Sequence, residues 1–198
     1  MRVFKPYLVM FLSLVLIMTL IVPVFSQIAK NKLVFSEVFL DKEKPQKSWL
    51  EVFNPTSEAL VLYGFRISHV YTSNLLPKAK KSTYQVKPGE YLLLCANERV
   101  FRENWGEIDN LVVVPGISSF IDGGFIALYT NNNKDKGVDA FRYGRSEKSK
   151  KYETAFGTQV LEFTANGKSW IRNIEIIESS TKILDFQESA PTPGKKNY

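Results

Sequence analysis

Glu37 and Glu51 are the best-placed residues in this chain to do chemistry, because each lies in an apolar, strand-like run and the two runs are close in sequence. If the runs pair in one sheet, the two carboxyl groups converge. A converging pair can act as acid and base, or hold calcium. The plainer reading, and the preferred one, is that each accepts hydrogen bonds from backbone amides or from a neighbouring lysine. His69 is the only histidine, and no Gly-x-Ser-x-Gly turn accompanies it. With a single cysteine it cannot supply the three or four ligands of a zinc site, so it is expected on the surface or partly packed. Asp135 and Asp139, beside the asparagines at 131–133, superficially resemble a calcium loop. The last ligand position lacks its glutamate and the glycine is misplaced, so a solvated hairpin tip is expected. Cys95 sits in the apolar run Tyr91-Leu-Leu-Leu-Cys-Ala96 and reads as an inert core thiol. Two basic runs remain, Lys78, Lys80 and Lys81, and Arg145, Lys148, Lys150 and Lys151. With Tyr84, Tyr143 and Tyr152 as stacking surfaces they can meet a polyanion; the bland alternative is that they solvate loops and blunt strand edges. No catalytic group, metal site or cofactor follows from these residues.

The elements that must position Glu37 and Glu51 are strands. Alternation through Trp49-Leu-Glu-Val-Phe53 puts Trp49, Glu51 and Phe53 on one side and Leu50 and Val52 on the other. Asn54-Pro55 stops that strand, because proline cannot donate to the ladder. Further strands are predicted at 33–40, 48–54, 59–62, 65–71, 82–87, 90–95, 111–115, 125–130, 138–143 and 159–164. Lys87-Pro-Gly-Glu90 is a tight turn. One helix is predicted, from an Asn97 cap to Gly106, with Val100 and Phe101 facing inward. The stretch from Asp185 to Asn197 carries two prolines and a glycine within four residues. It is expected to be irregular and to wrap over a sheet edge.

A chain of 198 residues with 44% hydrophobic content can bury one substantial core, so one all-β domain is expected at 32–198, after a spacer at 27–31. Residues 1–26 read as a targeting segment. Arg2 and Lys5 give a positive end, Tyr7 to Val22 is almost wholly apolar, and Pro23-Val-Phe-Ser26 spaces small residues as before a signal-peptidase cut. Cleavage after Ser26 is the favoured reading, and an uncleaved signal-anchor inserted through residues 7–25 is its rival. Without Arg2 and Lys5 the balance is 24 basic to 20 acidic residues, an ordinary soluble surface.

Five segments, in order and at the right spacing, resemble the bacterial, exported kind of lamin tail domain. They are Ser36-Glu37-Val38; Trp49-Leu-Glu51-Val-Phe-Asn54; Gly64-Phe65-Arg-Ile-Ser68; Val86-Lys-Pro88-Gly89-Glu-Tyr-Leu-Leu-Leu94; and Ser189-Ala-Pro191-Thr-Pro193-Gly194-Lys-Lys-Asn197. Phe65 stands where the family usually has tryptophan, and the stretches near 69–82 and 144–157 are longer than usual. The resemblance implies an immunoglobulin-like β-sandwich behind the N-terminal apolar helix. It also implies a non-catalytic interaction or targeting module that binds a protein, glycan or cell-envelope polymer outside the cytoplasm. That address argues against nucleic acid as the partner. A membrane-anchored structural envelope protein and, last, a hydrolase with an unrecognised site are the alternatives. The exported protein should have an intact mass lacking residues 1–26; a full-length mass would support the anchored form instead.

Overall fold

The computed structural model describes residues 33–61, 66–69, 72–75, 85–129, 137–144, 159–164, 167–177 and 180–195. Within them the chain is almost all β. A six-stranded sheet has the order β13-β12-β1-β2-β7-β8, with β1 at Val34–Phe39, β2 at Trp49–Phe53, β7 at Tyr91–Cys95, β8 at Leu111–Val113, β12 at Ser169–Ile177 and β13 at Ser180–Ser189. A five-stranded sheet has the order β11-β10-β9-β4-β5, with β4 at Arg66–His69, β5 at Thr72–Leu75, β9 at Gly124–Tyr129, β10 at Gly137–Tyr143 and β11 at Val160–Leu161. β3 (Leu60–Val61) and β6 (Gln85–Val86) form a small ladder. Pairing is antiparallel throughout except at β7/β8 and β10/β11.

The two large sheets share one apolar core. Phe35, Leu50, Val52, Leu92 and Leu94 come from the first, and Ile67, Ile126, Leu128 and Phe141 from the second. Phe35 meets Phe141 edge to face, with ring centroids 5.0 Å apart. That geometry suits the ring quadrupoles and adds to the burial of both side chains, worth about 1.5–3 kcal/mol each. The alternation read from β2 holds: Leu50 and Val52 enter this core, whereas Trp49 belongs to a second cluster on the opposite face with Phe39, Leu93, Cys95 and Phe101.

The second cluster is roofed by helix α1 (Glu98–Trp105). Asn97 caps it by accepting from the Val100 N–H at 3.1 Å, and Gly106 ends it at a positive φ of 85°. Phe101 is buried and Trp105 packs its edge against Phe39 and Trp49.

Three expectations need correction. The strand predicted at 65–71 is present as β4, but its hairpin partner β5 was not anticipated. β12 and most of β13, the longest strands, were not anticipated. Asp185 to Ser189 is strand, so irregular backbone begins only at Ala190. Gly64 and Phe65 lie outside the described residues. So do the two basic runs (Lys78, Lys80, Lys81, Arg145, Lys148, Lys150 and Lys151), together with Asp135 and the N-terminal segment. No helix among the described residues is long and apolar enough to cross a membrane.

Polar contacts also tie the sheets together, and the Asp139–Arg172 pair is the charged one among the described residues. Asp139 of β10 accepts from Arg172 of β12 at 2.6 Å and from the Phe35 N–H at 2.8 Å. The Arg172 guanidinium also lies over the Phe186 ring, 4.0 Å from its centroid. Asp139 is thus a cross-sheet anchor and not part of the solvated hairpin tip expected from the sequence. Asp139→Ala would leave a buried cation and a backbone N–H without their acceptor. We expect a loss of about 3–5 kcal/mol, seen as a lower urea midpoint at unchanged m-value.

Candidate functional site

A β-bulge brings Glu37 to Glu51. In β1, Phe35 pairs with Val52 and Glu37 with Glu51, so two steps of β1 match one of β2 and Ser36 is the extra residue. Strict alternation would have put Glu37 on the same face as Phe35, in the main core. The bulge shifts it to the outer face, directly opposite Glu51. Both glutamates are fully buried. Ser36, the bulged residue, lies with its hydroxyl 2.6 Å from Glu51 Oε1.

What buries them is the end of the chain. Thr192 donates its N–H to Glu37 Oε1 at 3.0 Å and its hydroxyl to Oε2 at 3.1 Å. Ser169 of β12 adds a third donor to Glu37 at 2.5 Å. Gly194 donates its N–H to Glu51 Oε2 at 2.7 Å. The expected wrap over a sheet edge is therefore wrong: β1 and β2 are central strands, and the tail crosses the face of the sheet. Its local shape follows from sequence. Lys195 N–H bonds to Thr192 C=O at 3.0 Å around Pro193-Gly194, with Gly194 at φ 74°. This is the type II pattern, where proline presets one dihedral and glycine accepts the positive one.

Burial is the main force on Glu51. It pushes the carboxyl up to about 8, against smaller lowering effects of the Ser36 and Gly194 hydrogen bonds, and the neighbouring Glu37 charge raises it further. At neutral pH the Glu51 carboxyl therefore holds a proton. A pair in this state resembles a carboxylate dyad, but it faces protein donors and not a cleft.

Asn54 and the Pro88-Gly89 turn are joined by hydrogen bonds within the fold. The Asn54 side chain donates to the carbonyls of Glu58 and Val86, each at 2.8 Å, and accepts from the N–H and hydroxyl of Thr56. Its backbone joins Gly89 and Glu90, in the turn where Pro88 precedes Gly89 at φ 73°. His69 stands in β4 opposite Thr72 and Ile126. Among the described residues no group of three or more His, Cys, Asp or Glu side chains is arranged to hold a metal ion. Tyr143 is buried against Phe141 and Phe163 and cannot offer a stacking face, contrary to the sequence expectation.

An open cleft of about 610 Å³ lies beside the tail. Sequence reading missed it, since its walls come from four separated segments. Lys42, Lys44 and Lys47 line it, interleaved with the carboxylates Asp41 and Glu43, and Trp105, Phe163 and Pro191 complete the wall. Lys42 Nζ sits 5.6 Å from the Phe163 ring centroid, and Lys47 donates to Asn104 at 2.7 Å. Rings and ammonium groups together suit a ligand with apolar faces and acidic substituents.

Cys95 is buried, and desolvation pushes its thiol up to about 11. A thiol-specific reagent at neutral pH should therefore leave native protein unmodified and label it at the rate of unfolding. Fast stoichiometric labelling of folded protein would contradict this burial.

Comparison with protein-family models, with curated proteins and with solved structures finds no match to this chain.

Proposed function

We propose that this chain is a non-catalytic, exported interaction module of the lamin-tail type, an immunoglobulin-like sandwich that contacts a protein, glycan or cell-envelope polymer. The observation that carries the reading is the state of its paired carboxylates. Both are sealed under the chain's own tail and hydrogen-bonded to the chain's own donors, so neither faces a space where substrate could sit. Among the described residues, one open concave surface is instead the cleft of lysines and aromatic rings. Of the three partner classes, an acidic envelope glycan fits that lining best: sugar faces stack on Trp105 and Phe163, and acid groups meet Lys42 and Lys44. The order of the five lamin-tail segments and the export signal supply the family and the address.

The test is retention of wild-type chain and a Lys42→Glu/Lys44→Glu variant on immobilised envelope polymer. Both lysines are exposed, so the variant should fold normally, and about a tenfold loss of retention is expected, relieved in wild type by added salt. Equal retention of the two proteins would move the contact elsewhere. A hydrolytic activity that Glu51→Gln abolishes without unfolding the chain would replace the binding reading with an enzymatic one.

A further inference from the structure

The four residues Pro191 to Gly194 contain only two backbone N–H groups, because proline has none. Both are captured by buried carboxyl groups, Thr192 by Glu37 and Gly194 by Glu51. The two receptors stand opposite each other at the centre of a sheet and are fully buried. Like charges directly opposite on one sheet face repel, and in a sealed site no water relieves them. Among the described residues, the groups that meet Glu51 bring it no positive charge. β1 brings Ser36 and Glu37, β12 brings Ser169 and β7 brings the apolar Leu93. The tail brings Thr192 and Gly194, and its Lys195 is exposed. One proton resolves the conflict. Carried by Glu51, it removes that group's charge while Oε1 still accepts from the Ser36 hydroxyl and Oε2 from the Gly194 N–H.

We propose that Glu37 and Glu51 form a proton-operated clasp on the C-terminal strap at 190–195: with a proton on Glu51 the strap is shut, and loss of that proton opens it. β1 and β2 are locked in the sheet on both sides, so the strap is the lid that yields when the ionised pair draws in water. Pro191 also forms part of the cleft wall, so an open strap alters that wall. Because burial lifts Glu51 from 4.5 to about 8, the clasp favours the protonated form. Its contribution is complete below the ordinary carboxyl range and is lost as pH rises through about 8.

The test is amide hydrogen exchange at Thr192 and Gly194 in the full chain, normalised to the intrinsic rate at each pH. Protection at both amides should be constant below the ordinary carboxyl range, fall by up to about tenfold per pH unit from there to about 8, and level off above it, while amides of β2 and β7 keep theirs. Glu51→Gln keeps an acceptor for Gly194 but cannot ionise, so it should hold the strap shut throughout. Protection independent of pH in the wild type, or an equal fall in Glu51→Gln, would overturn the clasp. Should that variant not fold, the carboxyl carbon of Glu51 in labelled wild-type chain decides. A midpoint near 8 with a concerted shift of the Gly194 amide supports the proposal, and a midpoint in the ordinary carboxyl range rejects it.

Discussion

Two carboxyl groups buried on one face of a six-stranded sheet set the terms for the rest of this structure. Burying such a group without donors costs several kcal/mol, more than most single contacts return. The outer face of the sheet is therefore divided. Its apolar half, Phe39, Trp49, Leu93 and Cys95, is covered by the rings of helix α1. Its carboxyl half cannot be covered by rings, because it must be met by N–H and O–H groups. The strap meets it with two amides and a threonine hydroxyl, and β12 adds a serine. One face thus carries two kinds of cover, each matched to the chemistry beneath it.

The bulge at Ser36 makes the arrangement possible. It reverses the parity of β1, so that Phe35 fills the inter-sheet core while Glu37, two residues on, faces outward. The same residue puts its hydroxyl against Glu51. A register slip of one residue between β1 and β2 would instead drive a glutamate into an entirely apolar core. The pair therefore penalises the wrong register more than it stabilises the right one, a role that buried polar groups can play in specifying a unique fold.

Local pattern carried much of this architecture. The alternation of β2, the Asn97 cap, the Pro88-Gly89 turn and the apolar run ending at Cys95 all depend on neighbours within a few residues, and all were legible in the sequence. β12 and most of β13 were not. Arg172 interrupts the apolar pattern in the middle of β12, and the partners that let it be buried, Asp139 and the Phe186 ring, lie 33 residues away and on the next strand. A charge in a run reads locally as exposed; only the tertiary partner reverses that reading. The candidate site has the same difficulty. Glu37 and Thr192 are separated by 155 residues, so nothing near either one announces the other.

The tail shows most directly what composition conceals. Two prolines argue correctly against a strand, and from there an irregular wrap at a sheet edge seems to follow. What matters at this surface is the number of donors the segment carries. The prolines limit this segment to two amides, and both point at the carboxyl groups. By alternating proline with Thr192 and Gly194, the chain presents one amide to each glutamate and none between them. The prolines also stiffen the unbound tail, so less entropy is lost when it docks. The Pro-Thr-Pro-Gly segment is therefore better understood as the complement of Glu37 and Glu51 than as a terminus that merely fails to form a strand.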